Sequence, residues 1–240
     1  MLNKNSPRPK VSKLFLSYDV YERHKKVGAL IDSGQTVLDV GGHLGYLSEF
    51  CRPAKITVAN LKSSIEKSDV IIKKDKLPFE NDSFGVVTAI DVLEHIPKDT
   101  RRSFTRELKR VAQKKIILSF PMGTPKHIAY EKHLVSRLAQ RGEDVIYLME
   151  HIKYGLPKED EIEELTGGTK SYLTYSGDLK VTDLLFKIHL FDPKIPIIRR
   201  FIYISKIFFN MLANPILYFL LSDKIYSSNV VRAYLVIEKR

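Results

Sequence analysis

The sequence predicts an α/β domain, a mostly parallel sheet with helices on both faces, and three observations carry that prediction. Strand-length apolar runs alternate with helix-length segments between residues 36 and 121. The run SFGVVTAID, 83–91, is apolar on both faces, as a strand in the middle of a parallel sheet must be. The first run, TVLDV, 36–40, ends in a glycine cluster that turns the chain toward its next segment.

Each element follows in order. Residues 1–17 form a basic, proline-containing lead-in. Asp19 is placed to cap a helix through VYERHKKVGALI, with Val20, Val27, Leu30 and Ile31 on its apolar side and Gly34 marking its end. After strand 36–40 the segment LGYLSEFC, 44–51, continues as a helix, and KITVAN, 55–60, and DVIIK, 69–73, are β-branched strands. KDTRRSFTRELKRVA, 98–112, is a helix with Phe104, Leu108 and Val111 on one face and basic residues on the other. Strand 114–121 closes this half at a proline. Residues 125–166 read as mainly helical with a turn at 154–157, 169–176 as a strand, 178–191 as a helix, 195–221 as an apolar stretch and 230–240 as a last strand. The expected organisation is one domain over 18–240. Its core is 18–122, 169–191 and 230–240, and its helical additions are 123–168 and 192–229, the latter an insertion or lid before the last strand.

Composition narrows the function. At 240 residues, 44% hydrophobic and 28% charged, the chain can bury a core and is no disordered or rod-like polymer. The single cysteine, Cys51, cannot close an intrachain disulfide or build a cysteine zinc cluster, and the basic, polar first ten residues lack a secretory apolar region, so a cytoplasmic setting is expected. The formal charge of +11 suits an anionic partner of any kind. The basic residues Arg101, Arg102, Arg106, Lys109, Arg110, Lys114 and Lys115 read as a solvated helix face, and without a recognition module nucleic acid is not favoured.

The most informative stretch is VLDVGGHLGYL, 37–47, in which a strand leads to Asp39 and then to Gly41, Gly42 and Gly45. Its glycine spacing is neither that of a dinucleotide turn nor that of a P-loop. An acid two residues ahead of the first glycine suits a ligand with a cationic amino group and no pyrophosphate, which S-adenosylmethionine satisfies.

With LPFENDSFGVVTAIDVLEHIP, 77–97, and FTRELKRVAQKKIILSFP, 104–121, this stretch resembles the class I S-adenosylmethionine-dependent methyltransferases of the type 11 group over about residues 20–122. The resemblance implies a Rossmann-like fold and S-adenosyl-L-methionine as cofactor. It implies that Gly41, Gly42 and Gly45 shape the turn under the methionine part and that Asp39 orients the turn or its ligand. Asp91 and Val92 would flank the methyl end, Asn60 would stand at the ribose and Asp75 at the adenine. The chain departs from the family in carrying His43 for a glycine, Asn60 for an acid and Gly85 for an acid.

For chemistry, methyl transfer needs in-line positioning, and an alcohol or phenol acceptor gains from a general base. His95 and His151 are the candidates. His95 either holds its own loop or faces the methyl group, and His151 is preceded by Glu150. His127 and His133 read as surface helix residues, and no metal-ligand spacing is present. Residues 195–222 carry no charge from Ile207 to Ser222 and contain Pro215, which should interrupt a helix. They read either as a buried cap over the site or as an interfacial segment, with Arg199, Arg200 and Lys206 at headgroup level. The expected function is methyl transfer, at oxygen, to a small-molecule, glycan or lipid-linked acceptor. The alternatives are a non-catalytic membrane-peripheral protein and an RNA methyltransferase, and the expected place is the cytoplasm, at the inner face of the membrane if 195–222 is interfacial.

Overall fold

Seven strands form one sheet in the order β3-β2-β1-β4-β5-β7-β6. This is a computed structural model, and it describes residues 13–61, 68–73 and 76–239. The strands are β1 (Thr36–Val40), β2 (Lys55–Leu61), β3 (Val70–Ile72), β4 (Phe84–Ile90), β5 (Ala112–Pro121), β6 (Ser171–Ser176) and β7 (Arg232–Glu238). β1 to β5 are parallel, and β7 runs antiparallel between β5 and β6. The helices are α1 (Tyr18–Ala29), α2 (Lys98–Val111), α3 (Pro125–Ala139), α4 (Ile146–Tyr154), α5 (Ile162–Thr166), α6 (Leu179–Leu190) and α7 (Pro196–Leu221). A helix thus precedes the last strand, as expected.

The alternation of side chains along each strand sorts the core into two layers. Leu38, Val40, Val87, Ala89, Leu118 and Leu235 pack with Leu108 and Val111 of α2. Val37, Val58, Val86, Ile117 and Val236 face the other way, onto Val27 and Ile31. Asp39 lies in register with Thr88, so both project into this second layer.

Five expectations need correction. The segment 44–51 is no α-helix but a single 3₁₀ turn at Leu47–Glu49. α1 crowds it: a Cβ on Gly28 would lie 2.7 Å from the Phe50 carbonyl oxygen, and Ala54 is tied back to Gln35, so no room remains for a full helix. Ser17 stands at the start of α1, and Asp19 sits inside its first turn, bound to Arg23 and Arg232. Pro215 does not end α7, a helix of 26 residues that runs on past it to Leu221, with Asn214 and Leu221 buried on either side. Most of α7 is exposed, so it is not a buried cap. Arg101 is no part of a solvated face, being fully buried. The expected lead-in falls within the described residues only over 13–17.

Arg101 ties the helical insertion to the sheet. Its Nε donates to the carbonyls of Leu93 and Ile96, its Nη1 to Glu161 at 2.9 Å, and its Nη2 to the carbonyls of Tyr154 and Gly155. Arg101→Met is expected to destabilise the protein by about 3–5 kcal/mol, because Glu161 is left buried without its main counter-charge. Urea denaturation checks this, and adding Glu161→Gln should recover part of the loss.

Candidate functional site

The carboxyl edge of the parallel strands, where open α/β sheets form their ligand crevices, gathers the predicted residues. The chain leaves β1 at Gly41 with φ 78°, a left-handed angle that favours glycine, and the Gly41 amide donates to the Ala59 carbonyl at 2.9 Å. A Cβ on Gly41 would lie 2.5 Å from Val92 Cγ2, and one on Gly42 would lie 1.9 Å from Asp39 Oδ2. Glycine is therefore required at 41 for angle and space, and at 42 for space alone.

Asp39 is fully buried beneath this turn. Its Oδ1 accepts from Thr88 Oγ1 at 2.7 Å, and its Oδ2 has no hydrogen-bond partner among the described residues. Burial pushes its pKa up to about 7, with the Thr88 hydrogen bond offsetting part of the rise. Asn60, at the end of β2, is buried, and its Nδ2 donates to the Gly42 carbonyl at 2.9 Å, bracing the turn from below. Gly45 completes the turn at φ 97°. The His43 ring stacks on Tyr46, with centroids 4.0 Å apart, which is how an imidazole fits at a crowded turn. Asp75 lies outside the described residues.

Asp91, just past β4, has φ 54°, an angle an aspartate tolerates better than most residues. Two arginines hold its carboxylate, Arg23 from α1 and Arg232 from the start of β7. Burial alone would lower the pKa of both guanidiniums, but Asp91 and Asp19 more than reverse it. Arg23 Nε is itself buried without a partner among the described residues.

The third group follows β4 directly, in the 3₁₀ turn Leu93–His95. His95 Nδ1 lies 2.8 Å from Glu150 Oε2, and His151 Nδ1 lies 3.0 Å from Glu131 Oε1. The two imidazoles stand 4.8 Å apart by centroid. Burial, then the neighbouring His151, lowers the His95 pKa. His127, expected on the surface, is buried instead, with Nδ1 against the Met122 carbonyl; His133 is exposed as expected. Sequence reasoning singled out no role for Thr88, Arg23, Arg232 or Glu131. Only Glu94, next to His95 within the segment 77–97, and Glu150, beside His151, left a trace.

Residues 36–120 match the family described as methyltransferase domain. No curated protein matches the sequence. Among solved structures the chain resembles an S-adenosylmethionine-dependent methyltransferase from Archaeoglobus fulgidus (10% identity, 93% of this chain and 95% of that one, TM-score 0.53). It also resembles a protein described as a methyltransferase from an antibiotic biosynthesis pathway of Anabaena variabilis (12% identity, 95% and 99%, TM-score 0.50). At these identities the likeness shows the Rossmann-like fold. Residues 36–120 carry a methyltransferase domain, and this match supports an enzyme of class I, type 11, with S-adenosylmethionine as methyl donor.

The site fits that donor. A buried carboxylate oxygen without a partner among the described residues, beneath the bare backbone of Gly41 and Gly42, suits an ammonium, and an unpartnered guanidinium N–H suits a carboxylate. One measurement tests Asp39. Its folded pKa lies above the ordinary 3.8, so the folded chain holds the extra proton and stability should fall as pH rises from about 4 to about 7. Asp39→Asn is expected to abolish that fall in thermal melts while weakening S-adenosylmethionine binding at least roughly tenfold by calorimetry.

Proposed function

We propose that this methyltransferase methylates a hydroxyl oxygen on a lipid-linked or other amphipathic acceptor drawn from a membrane surface. The observation that carries the reading is the outer stripe of α7. Ile197, Phe201, Ile204, Phe208, Leu212, Ile216 and Phe219 recur three or four residues apart, and all are exposed, Ile197 and Phe219 to 83% and 85%. Among the described residues α7 is the one helix long and apolar enough to cross a membrane by length and composition.

Its attachments favour lying on the surface over spanning. Asn214 Nδ2 donates to the Leu16 carbonyl at 3.0 Å, the Tyr18 hydroxyl to the Leu217 carbonyl at 3.1 Å, and Lys26 to the Ser222 carbonyl at 2.8 Å. These bonds hold the C-terminal half of α7 along α1, and the exposed Lys194, Arg199 and Arg200 at its other end suit anionic headgroups.

In this reading Gly41, Gly42 and Gly45 with Asp39 would hold the amino-acid end of the donor. Arg23 would take its carboxylate, Asn60 and Asp75 would serve the nucleoside side, and Asp91 with Val92 would flank the reacting end. Bound S-adenosylmethionine supplies an electrophilic methyl group on a positive sulfur. The acceptor hydroxyl is activated at His95 and His151. With each Nδ1–H donated to a carboxylate, each Nε2 keeps the lone pair that takes part in this activation.

Vesicle flotation tests the surface. The full chain should float with anionic vesicles, and Ile197→Glu with Phe201→Glu and Phe219→Glu should lower flotation at least roughly tenfold while leaving donor binding unchanged. Methyl label supplied with a membrane extract should enter the lipid fraction. Label confined to RNA or protein would overturn the acceptor class.

A further inference from the structure

We propose that Glu94, His95 and His151 form a binding site for one divalent transition-metal ion beside the donor pocket. The proposal rests on the reading that the acceptor hydroxyl is activated at this cluster, and it names the agent of activation. No linear spacing announces the site; the packing of α4 against the turn after β4 assembles it.

The donor atoms, a carboxylate oxygen and one nitrogen from each imidazole, all lie within 4.8 Å of one another. A bound ion with bonds of about 2.0–2.2 Å brings such donors to roughly 3–3.5 Å apart, so each needs to move inward by about 1 Å. Torsions about the two half-buried imidazoles supply that movement.

Two independent features point to a ligand. Glu94 is 1% exposed, yet its Oε2 has no hydrogen-bond partner among the described residues. An orphaned carboxylate oxygen in the interior is costly unless something cationic meets it. Secondly, Glu150 and Glu131 engage the two Nδ1 atoms, at 2.8 Å and 3.0 Å, which turns each Nε2 into the ligand nitrogen. Carboxylates that orient the far side of an imidazole are the usual supporting shell of a histidine-bound metal.

Two imidazoles and one carboxylate suit zinc, cobalt, iron(II) or manganese better than calcium or magnesium, which prefer oxygen throughout. Three protein ligands leave at least one position for the acceptor. There the acceptor O–H would bind the ion through oxygen and release its proton to solvent. The oxygen–carbon bond then forms as the carbon–sulfur bond breaks, its electron pair returning to sulfur.

The experiment titrates Co²⁺ into untagged, chelator-stripped full-length protein and follows the visible absorption of the ion. One ion per chain is expected, and Glu94→Gln and His151→Gln should each weaken uptake at least roughly tenfold, with melting curves confirming that both variants fold. The absence of cobalt-dependent absorption at millimolar ion, or unchanged affinity in both variants, would overturn the site. Label transfer in the same samples separates the two readings. If stripped protein labels lipid at full rate, the ion's part in activation is overturned and the acceptor class stands. If cobalt binds but lipid takes no label, the site stands and the acceptor class falls.

Discussion

A carboxylate without a counter-charge, sealed beneath a turn of bare backbone, is the constraint around which the carboxyl edge of the sheet is built. Asp39 projects into the α1-facing layer of the core and, among the described residues, hydrogen-bonds only to the Thr88 hydroxyl. Gly42 lies so close above it that a single methyl group would collide with the acid. Asn60 then locks the Gly42 carbonyl from the neighbouring strand. An interior that stabilised this acid with an arginine would be the more stable fold. Leaving it unsatisfied keeps a negative centre available directly under the side-chain-free backbone of Gly41 and Gly42, and the glycines at 41 and 42 follow from that choice.

Elsewhere the protein treats buried charge in the opposite way. Arg23 and Arg232 close on Asp91 from α1 and β7, so the strained backbone at 91 is held by side chains far apart in sequence. Arg101 does the same for the insertion: it gathers the carbonyls of Tyr154 and Gly155 at the end of α4 and the Glu161 carboxylate beyond it. Because α4 is fixed at its C-terminal end in this way, Glu150 and His151 are presented to His95 at hydrogen-bonding and ring-contact distances.

Much of this was legible in the residues. Strands buried on both faces read as unbroken apolar runs, so β1, β2, β4 and β5 stood out, and the helix 98–112 announced itself by its one apolar face. The glycine turn with its acid was legible because few other sequences satisfy its steric demands. What stayed hidden depends on tertiary neighbours. The short turn at 47–49 is set by how tightly Gly28 presses on Phe50, which no local propensity records. The apolar run after 195 told nothing of what packs on it. His95 and His151 meet where Arg101, which looked like one more surface charge, anchors the end of the helix that carries His151. Arg232 lies in a strand whose pattern announces a strand and nothing of the ion pair at its start.

The antiparallel course of β7 has one further consequence. Since it runs against its neighbours, its first residue, Arg232, emerges at the same edge as the glycine turn, opposite Pro121. The strands that carry the turn, Asn60 and Asp91 all precede it in the chain. During synthesis the residues of the cradle therefore leave the ribosome well before the second guanidinium that holds Asp91. Maturation of the pocket thus waits on the insertion of one strand between β5 and β6, so the order of translation itself keeps the half-made enzyme incomplete.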